Sequence, residues 1–296
     1  MERRLAGPGV PSPPDGAAWR RPLLALVIAA ASLAAVLLGP RLFDTDPVGV
    51  DPFDARLAAV ALVLAGVAMA WARLAEMRGV LLAVAAVVLP YCLWSATPRA
   101  LGLLLGGRIS FDAEVLGADG VYVAATLAIA AVAVRRLPAR WRPRLRLLTA
   151  RPLALAVAVL GVAAVVGIAL ALPAEPLGRL GIPVAAVRRD LPLLGPAYVL
   201  QAAAQELQFR GLLLGVLERT MRPAAANLAQ ALLFGLAHIA VLYEGPAAAL
   251  VPVTVVLGLV LGALTRWTGS LWPAIAIHSA LEVGVAVAVI PGLYGQ

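Results

Sequence analysis

The chain has 296 residues, of which 62% are hydrophobic and 14% are charged, and its mean hydropathy is +0.94. Soluble domains contain only about 45–50% apolar residues, so this composition argues against a soluble fold. The formal net charge is +8, but the basic residues are arginines that lie between apolar stretches rather than on one polar face. We therefore expect no nucleic-acid partner.

Nine apolar stretches approach the roughly 20 residues that a helix needs to cross a bilayer. They are 22–39, 57–73, 79–97, 116–134, 152–173, 194–217, 223–243, 247–265 and 271–290. Because 57–73 and 116–134 are the weakest stretches, eight spans are the alternative count. The pattern predicts an all-α fold: a polytopic bundle of transmembrane helices, in a multi-pass protein of a bacterial plasma membrane.

The arginines between the stretches predict the orientation of the chain in the bilayer. With a cytoplasmic N-terminus, the positive-inside rule is met by Arg20, Arg21, Arg73, Arg78 and the arginine cluster within 135–151. Tryptophans near span ends fit the same map, since their rings suit the headgroup region. Residues 1–21 carry proline, glycine and charge without hydrophobic periodicity, and are predicted to be a disordered cytoplasmic tail.

The Arg-rich cytoplasmic loop 135–151 divides the chain into an N-terminal four-span region, 22–134, and a C-terminal five-span region, 152–296. Segment 174–193 contains several prolines and is predicted to be an outer loop. Gly258 and Gly262 are four residues apart, a spacing that allows close approach of two helices.

Polar residues of the predicted spans concentrate in the C-terminal region. Only three charged residues are expected deep within spans, Glu206, Arg210 and Glu282, and the only histidines are His238 and His278. Residues four apart share a helix face, so Glu206 with Arg210, and His278 with Glu282, form polar stripes. Two interpretations stay open: each pair neutralises itself as a buried structural contact, or the stripes together line a functional site.

Three segments carry a resemblance to a known family. They read QELQFR at 205–210, FGLAH at 234–238 and HSALE at 278–282. In order, spacing and helix placement they resemble the CAAX protease and bacteriocin-processing family (CPBP, also called Abi), whose pattern is Glu-Glu-x-x-x-Arg, Phe-x-x-x-His and His-x-x-x-Asn. The resemblance covers about residues 190–290.

This resemblance implies an intramembrane endopeptidase that hydrolyses a peptide bond in a membrane-associated protein or peptide. In the family, the glutamates and the first histidine are taken to activate a water, while the second histidine and the asparagine stabilise the oxyanion. Carried over, the catalytic residues are Glu206, His238, His278 and Glu282, and the supporting residues are Gln205, Arg210 and Phe234. Two positions depart from the pattern: Gln205 replaces the first glutamate and Glu282 replaces the asparagine.

Because an amide is not a general base, Gln205 leaves several hypotheses open. Either Glu206, supported by His238, or Glu282 deprotonates the water, or the protein is an inactive scaffold or immunity factor of the same fold. A proton-coupled transporter that uses the same carboxylates is a further alternative. We expect no cofactor; the ligand set for a zinc ion, if one binds, is His238, His278 and Glu206.

Overall fold

The computed structural model describes residues 78–106, 110–136, 149–171, 184–242 and 250–288. The predicted tail 1–21, the predicted spans 22–39 and 57–73, and most of the Arg-rich loop 135–151 lie outside these residues. The orientation of the chain in a membrane stays a prediction.

The described residues form eight α-helices and one π-helical segment, with no strand among them, as the all-α prediction requires. The helices are α1 (Arg78–Leu105), α2 (Phe111–Arg136), α3 (Pro152–Ala171), α4 (Val184–Glu206), α5 (Leu214–Leu217), α6 (Pro223–Leu242), α7 (Leu250–Thr268) and α8 (Trp272–Ala288). The π segment, Leu207–Leu213, joins α4 to α5 in one continuous rod. Proline opens both α3 and α6, a position where its missing N–H has no helical partner in any case.

Each predicted span from 79–97 onward coincides with a helix, but not each helix is long and apolar enough to cross a membrane by itself. One helix, α2, meets that test, at Val115–Val132. Shorter apolar runs occupy Gly79–Trp94 in α1, Pro152–Gly167 in α3 and Pro252–Thr268 in α7. The polytopic arrangement and the number of spans therefore stay predictions.

The predicted outer loop 174–193 is wrong over its last ten residues. Helix α4 already begins at Val184 and includes Pro192 and Pro196. Each proline removes one backbone donor from the helix interior, which normally disfavours a helix. Here both prolines are exposed, so their rings meet no packed neighbour, and the apolar residues that follow them hold α4 against α2 and α8.

The π segment is the centre of the described bundle. All seven of its residues are buried, and it contacts α1, α2 and α6. Its i→i+5 hydrogen bonding is visible at its end, where the N–H of Leu214 donates to the carbonyl of Phe209. Short π segments of this kind occur frequently at functional sites.

Helices α6 and α7 have the most extensive contact of any pair of described helices, and the predicted glycine spacing accounts for it. A Cβ added at Gly258 would lie 2.9 Å from the Cα of Ala231, and one added at Gly262 would collide with the side chain of Asn227. The missing side chains therefore allow the two backbones to meet. After α7, Gly269 adopts a φ of +62°, a left-handed conformation that ends the helix and turns the chain into α8.

We predict that Gly258→Ala lowers the free energy of unfolding by about 1–3 kcal/mol, because the added methyl overpacks a backbone contact. The matched control is Gly167→Ala in α3, where a Cβ would meet no atom within 4 Å. The control should be neutral or slightly stabilising, since alanine favours a helix over glycine. Thermal unfolding of both purified variants in one detergent measures the difference, and equal midpoints would contradict the close packing.

Candidate active site

Glu206 links the long central rod to α8. Its Oε1 accepts a hydrogen bond from Nη1 of Arg210 at 2.7 Å and a second from Nδ1 of His278, also at 2.7 Å. The side chains of Glu206 and Arg210 are fully buried. A buried carboxylate requires such charge-assisted donors, so this single oxygen fixes the relative position of the π segment and α8.

His278 lies between two carboxylates. Its Nδ1 faces Glu206, and its Nε2 lies 3.3 Å from Oε2 of Glu282, one helical turn further along α8. Because Nδ1 donates to Glu206, the contact between Nε2 and Glu282 needs one more proton, carried either by the imidazole or by the carboxyl group. His278 and Glu282 therefore form a pair that shares an exchangeable proton.

The ring of Phe234, on α6, is the packing centre of the site. The guanidinium carbon of Arg210 lies 4.3 Å from its centroid, within the range of a cation–π interaction. The ring centroids of His238 and His278 lie 4.4 Å and 5.5 Å from it. The side chains that the three motifs place at four-residue spacing are therefore in contact, and they meet around one aromatic ring.

His238 is held in one tautomer by its own helix. Its Nδ1 lies 2.7 Å from the carbonyl oxygen of Phe234, and because a carbonyl only accepts, Nδ1 must donate. In the neutral ring, Nε2 then carries a lone pair and accepts a proton or a hydrogen bond. This arrangement suits a general base.

A second layer of polar groups, on α6 and α7, holds Arg210 in place, and the sequence analysis did not identify it. Nη2 of Arg210 donates to the carbonyl of Gly258 at 3.3 Å, and Nε2 of Gln230 donates to the same carbonyl at 2.8 Å. Nε2 of Gln230 also donates to Oδ1 of Asn227, whose Nδ2 donates to the carbonyl of Leu259. The sequence signal that could have revealed this layer is a pair of amide side chains, Asn227 and Gln230, three residues apart in an apolar helix.

Gln205 and Glu206 leave buried oxygens without donors. Oε1 of Gln205 and Oε2 of Glu206 make no hydrogen bond within the part of the chain that the structure describes. Both residues are buried. Such atoms are unfavourable unless a water or a ligand group donates to them.

Asp119 is a buried carboxylate that the sequence analysis did not single out. It lies on α2, within the predicted span 116–134, and is only 3% exposed. The indole Nε1 of Trp94 donates to its Oδ1 at 2.8 Å. Asp119 belongs to no motif of the C-terminal region and lies near the edge of a weak apolar stretch, so its sequence position gave no signal of burial.

The zinc alternative receives no geometric support from the described residues, where no group of three or more His, Cys, Asp or Glu side chains is arranged to hold a metal ion. Both ring nitrogens of His278 already face carboxylate oxygens, and Nδ1 of His238 faces a carbonyl. The three ligands named from the sequence therefore do not converge on one point.

We predict that Glu206→Leu destabilises the protein by about 3–5 kcal/mol, because it leaves the buried Arg210 without its partner. The double variant Glu206→Leu with Arg210→Met should recover most of that loss, since replacing both members of a buried pair is nearly neutral. Thermal or denaturant unfolding of the single and double variants tests the pair. A double variant as unstable as the single one would show that the pair is not the source of the loss.

Comparison with known proteins assigns a family to this part of the chain. A family model described as type II CAAX prenyl endopeptidase Rce1-like matches residues 188–284, about a third of the 296-residue chain. No curated protein and no solved structure gives a significant match. The matched segment contains the three motifs, the whole of the π segment, α5, α6 and α7, and most of α4 and α8. The resemblance to the CAAX protease family is therefore confirmed, and residues 188–284 carry a domain similar to the Rce1-like type II CAAX prenyl endopeptidases.

Proposed function

We propose that the protein is an intramembrane endopeptidase that hydrolyses a peptide bond in a membrane-associated protein or peptide. The observation that carries this proposal is the array of Glu206, His278 and Glu282, in which one imidazole is held between two carboxylates. Membership of a peptidase family supports the reaction class.

Glu282 is the better candidate for the general base. Glu206 is fully buried, and one of its oxygens is occupied by both Arg210 and His278. Among the described residues, the Glu282 carboxylate contacts His278 through its Oε2, and its side chain is 26% exposed. Because a base must reach the water that it deprotonates, the partly exposed carboxylate takes this role and Glu206 positions His278.

His238 orients the same water. Its neutral Nε2 accepts one hydrogen bond, and Glu282 accepts the other, so that a lone pair of the water faces the scissile carbonyl. Both groups adjoin His278 and its neighbour Phe234: the rings of His238 and His278 contact Phe234, and Glu282 lies 3.3 Å from Nε2 of His278.

The charges of the site balance along the reaction. As the water attacks, its proton passes to Glu282 and its oxygen bonds to the carbonyl carbon, whose oxygen becomes negative. The cations Arg210 and protonated His278 stabilise that charge in a dry environment. When the carbon–nitrogen bond breaks, Glu282 returns the proton to the leaving amine, giving a carboxylic acid and an amine. This mechanism needs no cofactor.

The proposed substrate class agrees with a multi-pass membrane location, which we propose as well. The family consists of membrane proteins, and the described helices expose apolar side chains where a soluble protein would carry polar ones. Leu103, Leu104 and Leu105 are at least 70% exposed, and Val159, Leu160 and Val256 are 59–69% exposed. Exposed apolar side chains on several helices suit contact with lipid.

A second candidate function is a binding scaffold or immunity factor that has lost catalysis. It is favoured by Gln205, because an amide stands where the family pattern has a glutamate, and its Oε1 is buried without a donor. In this alternative, the Glu206 and His278 contacts serve the fold alone.

We predict that His238→Ala and Glu282→Gln each lower kcat by about 10²–10⁴-fold, the range for loss of general-base catalysis. The assay follows the fragments of membrane peptides by mass spectrometry with the purified, full-length protein. Glu218→Gln is a matched control, since Glu218 pairs with Arg266 away from the site. Wild-type cleavage that both site variants retain in full would exclude the proposed mechanism.

The scaffold alternative is tested by Gln205→Glu, which restores the first glutamate of the family pattern. If Glu282 is the base, the wild-type protein already cleaves, and the change alters kcat by less than about tenfold, since it adds a second carboxylate rather than the only one. A silent wild type that gains proteolysis with Gln205→Glu would favour the scaffold.

A further inference from the structure

Asp119 is a buried carboxylate that the proposed reaction does not use. It belongs to α2, outside the matched segment 188–284. Its Oδ1 accepts from Trp94, but its Oδ2 is buried with no hydrogen-bond partner in the described residues. An ionised carboxylate in this state is costly, so the group requires either a proton or a cation from outside.

Asp119 and Glu282 lie at the same end of the site. Leu194 and Tyr198 of α4 pack against Val115 of α2 and Val283 of α8. Val115 is one helical turn before Asp119, and Val283 follows Glu282 directly. Helices α2 and α8 both pack against α4, so the two carboxylates lie on helices that share this neighbour.

Open space adjoins Glu282 and the helix surface beside Asp119. The side chain of Glu282 is 26% exposed. Gly120, next to Asp119, and Gly284, two residues after Glu282, are exposed, and a Cβ added at either would meet no atom of the described residues within 4 Å. A ligand group therefore reaches Glu282 first, and Asp119 lies buried behind the exposed surface of α2.

The charges of the described site are unequal. When Asp119 is ionised, Glu206, Glu282 and Asp119 carry three negative charges, and Arg210 and protonated His278 carry two positive charges. One further positive charge from a ligand would balance them. Buried charges are tolerated when they are paired, so the surplus carboxylate favours a cationic ligand over a neutral or an anionic one.

We propose that Asp119 and Glu282 form a subsite for a positively charged group of the substrate, either the side chain of a lysine or arginine near the scissile bond or a free amino terminus. This subsite rests on the proposed endopeptidase function and gives its substrate class. A substrate carboxylate at the same place is repelled.

Binding of short acylated peptides to the full-length protein in detergent micelles tests the subsite. In one series of peptides, a single lysine is placed at successive positions. Each lysine peptide has two matched twins, in which glutamine or glutamate replaces the lysine. All peptides are made both with a free and with an acetylated amino terminus. The best lysine peptide should bind on the order of tenfold more tightly than its glutamine twin. A preference that survives acetylation assigns the side chain, and one that acetylation removes assigns the amino terminus.

Asp119→Asn removes the negative charge but keeps the hydrogen bond, because an amide oxygen still accepts from Trp94. The cation preference should fall to about twofold or less in this variant, since the unpaired charge is gone. Asp112→Asn is the matched control, because Asp112 lies about 10 Å earlier along α2 at 1.5 Å per residue. It should keep the full preference.

The binding assay is repeated with His238→Ala, so that its outcome does not depend on cleavage. If the wild-type protein binds the lysine peptides more tightly but cleaves none of them, the proposed subsite stands and the proposed endopeptidase function is rejected. If the wild-type protein cleaves the peptides but binds the lysine, glutamine and glutamate twins with equal affinity, the endopeptidase function stands and the proposed subsite is overturned. An unchanged preference in Asp119→Asn would overturn the assignment of Asp119.

Discussion

One carboxylate oxygen, Oε1 of Glu206, accepts hydrogen bonds from two helical segments at once. Arg210 approaches it from the π segment and His278 from α8, each at 2.7 Å. Because the carboxylate is buried, neither donor can be replaced by solvent, and a shift of either helix would leave a charge unpaired. The position of Arg210 in turn depends on α7, through the carbonyl of Gly258. The close glycine packing of α6 and α7 therefore supports the same oxygen from a distance.

The fold and the core of the site were predictable to different extents. Hydropathy located each described helix, because apolar stretches of this length have few other uses. It misjudged the start of α4, because exposed prolines within a helix resemble a loop when burial is unknown. The contacts among Glu206, Arg210, Phe234, His238 and His278 followed from spacing and the family resemblance, since four-residue separations place side chains on one helix face.

The remaining parts of the site depend on pairing between helices, which one sequence does not reveal. Gln230 carries no motif, yet its amide shares an acceptor with Arg210. Asp119 lies far from the motifs along the chain and is brought near Glu282 only by the packing of α2 and α8 against α4. The choice of Glu282 over Glu206 as base likewise rests on exposure and hydrogen-bond occupancy, quantities that exist only in the folded protein.

The π segment has a consequence for how this protein tolerates insertions and deletions. A π-helical turn closes one residue later than an α-helical turn, so the segment accommodates a residue that a regular α-helix between α4 and α5 would not. Deleting one residue between Leu207 and Leu213 would let the segment close as a regular α-helix, whereas adding one would rotate one half of the rod by about 100° relative to the other. Either the Leu194 and Tyr198 contacts of α4 or the buried face of α5 would then turn away from its neighbours. The number of residues in this segment is therefore constrained as well as their identities. This holds even at positions whose side chains make no contact with the site.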